Sequence, residues 1–444
     1  MKKILSKSTS SLILLLLTVL PILTFAQKES ISFLRPSYFR PYDKKGINVF
    51  ETGKQADTIG FDALRVRLGA GFTQPFQSLK HQNSENSDAT NKLYALTPGF
   101  NTSMANLNLD VQLADGIRLN LTTYLSTRHH NEAWVKGGYI QFDKLPFKGV
   151  FWDELMKVAT IKIGHMEVNY GDAHFRRSDG GQTIYNPFIE NYILDAFATE
   201  IGGEIYLQKN GFFGMIGLSN GMIKGNIDSL QKTLQDNNIH KSPALYFKGG
   251  LDQQLSDKLR VRFAGSVYHD GSSGGNTLFG GDRAGSNYFM VMEKAGTGVT
   301  YATNAFSGRI NPGFSKKVDA LQLNGFIKYA GLEFFGTYEA AKGRSKTETS
   351  ERKIFQTAAD IIYRFGKTEN LFIGMRFNNV NGRLPGFTSD VSVNRYALAG
   401  GWFLTNNILL KGELVNQKYI DFPGTDYRNG GIFKGYVLEA VVGF

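Results

Sequence analysis

The sequence predicts an all-β chain that closes into a transmembrane antiparallel β-barrel of 16 strands, with 14 or 18 if a weak strand fails or the N-terminal segment contributes. Three observations carry this expectation. Apolar and polar residues alternate with period two over segments of roughly the 9–11 residues that a tilted membrane strand needs. The connections alternate between long and short, as do the external loops and periplasmic turns of membrane barrels. The final segment, Lys434 to Phe444, ends on an aromatic residue of an apolar face. A closed barrel in lipid accommodates such an ending, because its last strand pairs with its first and its outer face meets hydrocarbon.

Alternation is clearest where Ala105, Leu107, Leu109, Val111 and Leu113 face one way and Asn106, Asn108, Asp110 and Gln112 the other. Ala114-Asp115-Gly116 then turns the chain, and Ile117, Leu119 and Leu121 alternate with Arg118, Asn120 and Thr122. The same reading gives strands at 63–73, 103–113, 117–126, 133–142, 156–168, 198–208, 212–220 and 243–251, followed by 259–269, 319–329, 332–341, 353–365, 371–379, 393–403, 408–418 and 433–444. The strands near 134–142 and 198–206 alternate poorly. Long connections fall at 74–102, 127–132, 169–197, 221–242, 270–318, 342–352, 380–392 and 419–432. The short ones are tight turns such as Asn210-Gly211, except 143–155, which has room for a helical turn.

The N-terminus supplies an address. Lys2, Lys3 and Lys7 precede the apolar run Leu12 to Leu23, and Thr24-Phe25-Ala26 offers small residues for cleavage before Gln27. This predicts a cleaved signal at 1–26, a periplasmic segment at 27–62 with one short strand at Ile47 to Glu51, and a barrel over 63–444. The chain has no cysteine, which excludes disulfides, thiolate metal sites and a lipoprotein anchor. After the signal, no apolar run approaches the roughly 20 residues of a helical span. The net charge of +11 falls to +8 without the three signal lysines. An exported chain seldom meets nucleic acid, so a cation-lined pore is the better reading of that charge than nucleic-acid binding.

A barrel of this size is wide enough for an aqueous lumen. The register places Arg65, Arg67, Arg118, Arg260, Arg262, Lys328, Arg376, Arg395 and Lys411 on the inward face, with fewer acids (Asp110, Glu333, Glu339, Asp360, Glu413 and Glu439). An arginine facing lipid at mid-depth would cost about 2–4 kcal/mol, so inward is the only economical direction. A positive lumen favours anions. The third long connection, 169–197, is too apolar for a loop in solvent. Phe175, Ile184, Tyr185, Phe188, Ile189, Tyr192, Ile193 and Leu194 need cover, which the barrel wall provides if the loop folds inward. Asp172, Arg176, Arg177, Asp179 and Glu190 would then form a constriction carrying a transverse field; the alternative is that Arg176 pairs with Asp172 or Asp179 and only staples the loop.

The signal, the strand rhythm, the inward third loop and Phe444 resemble bacterial general or anion-selective porins. The run Gly171-Asp172-Ala173-His174-Phe175-Arg176-Arg177-Ser178-Asp179, with Asn186-Pro187-Phe188, resembles outer-membrane porin-like proteins of the Bacteroidetes, distantly akin to phosphate-selective porins. The resemblance implies passive diffusion of small hydrophilic, by charge anionic, solutes through the outer membrane. It also implies contact with membrane lipid, recognition of the C-terminal strand by the barrel-assembly machinery, and a homotrimer. The competing reading is a structural or accessory barrel for secretion or surface-protein display. It would dock partners through 270–318, which carries Phe279, Tyr288, Phe289 and Met290. Catalysis, cofactors and metal ions are not expected. His129, His130, His165 and His174 show no ligand spacing, a His165–Ser219 pair has no independent support, and Asp270, Asp282 and Glu293 form no ligand pattern.

Overall fold

The computed structural model describes residues 31–32, 39–54, 61–84, 89–125, 133–224, 227, 229–281 and 283–444. The predicted signal at 1–26, Arg35-Pro36, His129, His130 and Asp282 lie outside those residues. Sixteen long strands follow in chain order. They are β1 (Leu64–Gln82), β2 (Met104–Ala114), β3 (Ile117–Leu125), β4 (Ala133–Phe142), β5 (Ala159–Glu167), β6 (Thr199–Lys209), β7 (Phe212–Ser219) and β8 (Ala244–Gln254). The second half comprises β9 (Leu259–Asp270), β10 (Lys317–Tyr329), β11 (Leu332–Arg344), β12 (Arg352–Phe365), β13 (Leu371–Gly382), β14 (Val391–Phe403), β15 (Ile408–Ile420) and β16 (Ile432–Gly443). Each pairs antiparallel with the next, and β16 returns to β1 from Ile432↔Gln82 to Gly443↔Gly71. The Phe444 N–H donates to Ala70 O at 3.0 Å, and the Ala70 N–H to Phe444 O at 2.8 Å. The cylinder is closed, and no sheet edge is left to the membrane.

The pleat sorts side chains as the alternation predicts. Leu107, Leu410 and Leu438 are exposed on the outer wall, while Asp110, Gln112 and Glu439 are buried inside. Three local differences have physical causes. Strand β1 runs to Gln82, nine residues beyond the predicted 73, because closure staggers its partners: β2 pairs along Arg65–Thr73 and β16 along Gly71–Gln82. The long 143–155 connection does hold a helix, α1 (Val150–Met156). The poor alternation of β4 and β6 comes from glycine pairs at 137–138 and 202–203, and the ladder shifts register between Thr122 and Thr123 opposite β4. At Gly164, which faces Tyr139 across the β4–β5 pair, φ is +156° and a Cβ would lie 2.4 Å from the Gly138 carbonyl oxygen. The wall is thin there because only glycine fits.

The interior is largely filled. The 27–62 segment was expected as a periplasmic lead-in with a strand at 47–51. Instead residues 39–54 lie inside the cylinder with a 3₁₀ turn at Lys44–Gly46 and no strand at 47–51. Phe50 is buried against Phe175 and Phe326, with ring centroids 5.7 and 5.5 Å away. The 270–318 connection was the alternative reading's external docking surface. Phe279, Tyr288, Phe289 and Met290 are all buried. Leu278, Tyr288, Val291 and Ile310 pack with Ile189, Ile193 and Leu194 of the 169–197 loop and with Val380, Val393, Val415 and Val437 of the wall. Apolar residues on the inner faces of strands, unexpected in an open pore, thus serve as the seat for two loops. Tyr288→Ala is expected to destabilise the barrel by about 3–5 kcal/mol through the cavity it leaves, read as a lowered midpoint of heat-induced unfolding in detergent.

Candidate functional site

The seven candidate lumen arginines lie on the inward face but meet protein. Arg376 sits opposite Asp360 in register and donates from Nε and Nη2 at 2.7 and 2.8 Å. Arg67 pairs with Asp110 at 2.8 Å, Arg118 with Asp143, and Arg260 with Asp252 at 2.8 and 2.7 Å. Arg65 reaches Asp62 at 3.2 Å. Arg395 donates to the carbonyls of Asn191 and Gly308 at 2.5 and 2.7 Å, so it fastens both inner loops to β14. Arg262 spans Asp172 at 2.8 Å and Glu51 at 2.6 Å.

The five candidate constriction residues are likewise bonded, and they do not form one ring. Asp172 meets Arg262 and Lys248, each at 2.8 Å. Arg176 bonds Asn48, lies 3.7 Å from Glu333, and sits between the rings of Phe326 and Phe335. Arg177 donates to Asp195 at 2.6 Å and to Asp179 at 3.1 Å, and Asp179 also takes Lys136. Glu190 accepts from Ser286 and from the backbone N–H groups of Asn287 and Tyr288, binding the 169–197 loop to the 270–318 loop. Arg176 therefore staples the loop, but through Glu333 and Asn48 rather than Asp172 or Asp179. The reason is the apolar drive of the loop: once Phe188 and Tyr192 are inside, charges entering with them need partners on the wall or the neighbouring segment.

Glu51, Asp172, Lys248 and Arg262 form a four-charge cluster that ties the N-terminal segment and the 169–197 loop to β8 and β9. Lys248 lies 2.9 Å from Glu51 and 2.8 Å from Asp172. Burial alone would raise both carboxyls; the two cations overcome it and hold both below the ordinary carboxylate range.

Against this filled half, a cavity of about 260 Å³ remains along the thin wall of β2 to β6. Asn108, Asn120, Thr122, Tyr139, Lys162, Glu204 and Tyr206 line it from the strands, Arg40 and Tyr42 from the N-terminal segment, and His174, Asp179 and Tyr185 from the loop. Gly137 and Gly138 border it as well. The carboxylates facing it are engaged. Glu204 accepts from Asn169 N, Tyr206 Oη and Tyr246 Oη at 3.1, 2.5 and 3.1 Å. Glu167 bonds His174, and Asp179 bonds Lys136. Two lining cations meet no carboxylate. Arg40 donates to the carbonyls of Gly46 and Phe175, each at 2.9 Å, over the Tyr185 ring. Lys162 lies 4.8 Å from the Tyr206 ring and 5.3 Å from the Tyr139 ring.

Of the five constriction candidates, Asp179 alone lines this cavity, and none of the seven arginines does; Arg260 lines a separate one of about 860 Å³ with Lys44, Asn48, Lys328 and Glu333. Lys162 was absent from the expected set although it sits in a predicted strand, where Ile161 and Ile163 flank it. That alternation was the signal for an inward lysine. Among the described residues, no group of three or more His, Asp or Glu side chains is placed to hold a metal ion. Ser219 donates to Glu200 and His165 bonds Thr199 at 3.1 Å, so no serine–histidine pair forms.

A closed 16-strand antiparallel cylinder with an apolar outer wall defines an integral outer-membrane β-barrel. Among solved structures, the outer-membrane channel DcaP of Acinetobacter baumannii is similar over 87% of this chain and 99% of its own, at 11% identity and a TM-score of 0.53. An anion-selective porin from Comamonas acidovorans is similar over 86% of this chain and all of its own, at 11% identity and a TM-score of 0.52. At this identity the likeness is one of fold. No family model matches the chain, and no curated protein matches it.

Proposed function

We propose that the protein is a porin-type channel of the outer membrane that passes small hydrophilic solutes by diffusion, with no covalent step, along the β2–β6 wall. The observation that carries this reading is the cavity left along that wall, lined by Asn108, Asn120, Thr122 and Lys162, where the 169–197 and 270–318 loops do not fill the lumen. The passage favours anions, because its carboxylates are engaged while Lys162 and Arg40 face it without one. The 171–179 run supports a place among the Bacteroidetes-type porins, and the porin resemblance supports a homotrimer, which light scattering of the detergent complex reads directly. The accessory-barrel reading is weakened, since Phe279, Tyr288, Phe289 and Met290, the residues it would dock through, are buried.

The test is planar-bilayer recording of the mature chain in a gradient of potassium chloride. The expected result is a small unit conductance whose reversal potential reports anion preference, and Lys162→Glu shifts that potential toward cations. A correctly folded barrel that carries no current removes the diffusion reading. Arg176→Ala with Arg177→Ala leaves the reversal potential within error of wild type, because neither lines the cavity.

A further inference from the structure

We propose that the β2–β6 cavity is a binding site for a small hydroxylated organic anion of the sugar-acid class, with Lys162 holding its carboxylate. This deepens the channel reading, on which it rests for access to the cavity.

Lys162 is a partly buried cation with no hydrogen-bond or ion-pair partner among the described residues. Its cross-strand neighbours are Gln141 and Glu204, and Glu204 is committed to three other donors. The faces of Tyr139 and Tyr206 stabilise the charge but take none of the three ammonium N–H donors. A partly desolvated charge in that state favours an anion.

The wall beside it offers unspent groups of both kinds. Asn108 accepts from Thr122 at 2.9 Å, which leaves its amide N–H₂ open. Asn120 donates to Asp110 at 2.7 Å, which leaves its amide oxygen open. The Tyr139 hydroxyl is open as well. An alternation of donor and acceptor suits a ligand whose hydroxyls are both, and the tyrosine faces suit the C–H face of a sugar ring. The cavity, at about 260 Å³, far exceeds the about 30 Å³ that one water occupies in the liquid. A neutral sugar leaves Lys162 unmet, and an aromatic acid leaves the two asparagines unmet. Each mismatch carries the cost of a buried unpaired group.

Titration calorimetry of the full mature barrel in detergent micelles tests this with D-glucuronate, D-glucose and benzoate. Glucuronate is expected to bind, with glucose and benzoate on the order of 10-fold weaker or worse. Lys162→Met raises the glucuronate Kd on the order of 10-fold or more, the loss of a charge-assisted hydrogen bond. Tyr139→Phe raises it less and leaves benzoate unchanged. Heat-modifiable gel mobility checks that each variant is folded. An unchanged Kd in folded Lys162→Met, benzoate binding as tight as glucuronate, or no glucuronate binding overturns the assignment. Bilayer recording separates the two readings. A barrel that binds glucuronate yet carries no current loses the diffusion reading and keeps the site; one that conducts but binds no glucuronate loses the site alone.

Discussion

Removing residues 39–54 from the mature chain raises the unit conductance severalfold. The segment bounds both inner cavities: Arg40, Tyr42, Phe50 and Glu51 line the one of about 260 Å³, and Lys44, Ile47 and Asn48 the one of about 860 Å³. Deleting it joins the two and widens the narrowest section, and conductance follows that cross-section. The strand ladder is untouched, since the segment is fastened mainly by side-chain contacts: Asn48 to Glu333 at 2.8 Å, Glu51 to Lys248 and Arg262, and Arg40 to the Phe175 carbonyl. Planar-bilayer recording of the deletion beside wild type measures the effect. Equal conductance from a folded deletion variant would show that the segment does not limit the passage. Glu51→Gln provides the milder version. It keeps the chain but removes one carboxylate from two cations, so the expected current flickers between the wild-type level and the level of the deletion.

Asp172→Asn is expected to cost about 3–5 kcal/mol at most, the range for removing one partner of a buried ion pair. Glu51 still faces Lys248 and Arg262, so the loss falls toward the lower end. Limited proteolysis at 169–197 and the heat-unfolding midpoint in detergent read it; a midpoint equal to wild type would show that Asp172 does not hold the loop. Replacing Lys248 by Met in the same chain restores charge balance with Glu51 and recovers part of the loss. The pH dependence follows with a definite sign. Glu51 and Asp172 are held below the ordinary carboxylate range, so their contribution is complete at neutral pH and is lost as pH falls below that range through their folded values. Acid should therefore loosen the segment and the loop together. Conductance that rises on acidification in wild type, and rises less in the 39–54 deletion, is the expected pattern.

The strands were legible because their signal is local. A β-strand repeats every two residues and a turn needs only its own few, so β2, β3 and β9 to β16 begin and end within a few residues of the predicted bounds. The β1 extension was not legible, because its cause is the stagger of two partners distant in sequence. The inward direction of the arginines was legible for the same local reason, and the insertion of 169–197 followed from its apolar content. What each inward charge meets was not. Arg376 and Asp360 share a register across neighbouring strands, but Glu51 reaches Lys248 and Arg262, and Asn191 and Gly308 reach Arg395, between segments distant in sequence.

The sequence alone therefore determined a membrane-spanning cylinder and the face on which each strand residue lies, since pleat and hydrocarbon impose both residue by residue. The tertiary structure decided how much of the lumen is left. The N-terminal segment and two long connections fold inward and seat on valines and aromatics of the inner wall; Arg67, Arg260 and Arg376 pair with acids of the wall itself, while Glu51 and Asp172 of the inserted segments take Arg262. Of the space that remains, the cavity of about 260 Å³ lies along β2 to β6, and there Lys162 meets no carboxylate. Which charges remain free depends on contacts between segments far apart in the chain, and no local pattern encodes those.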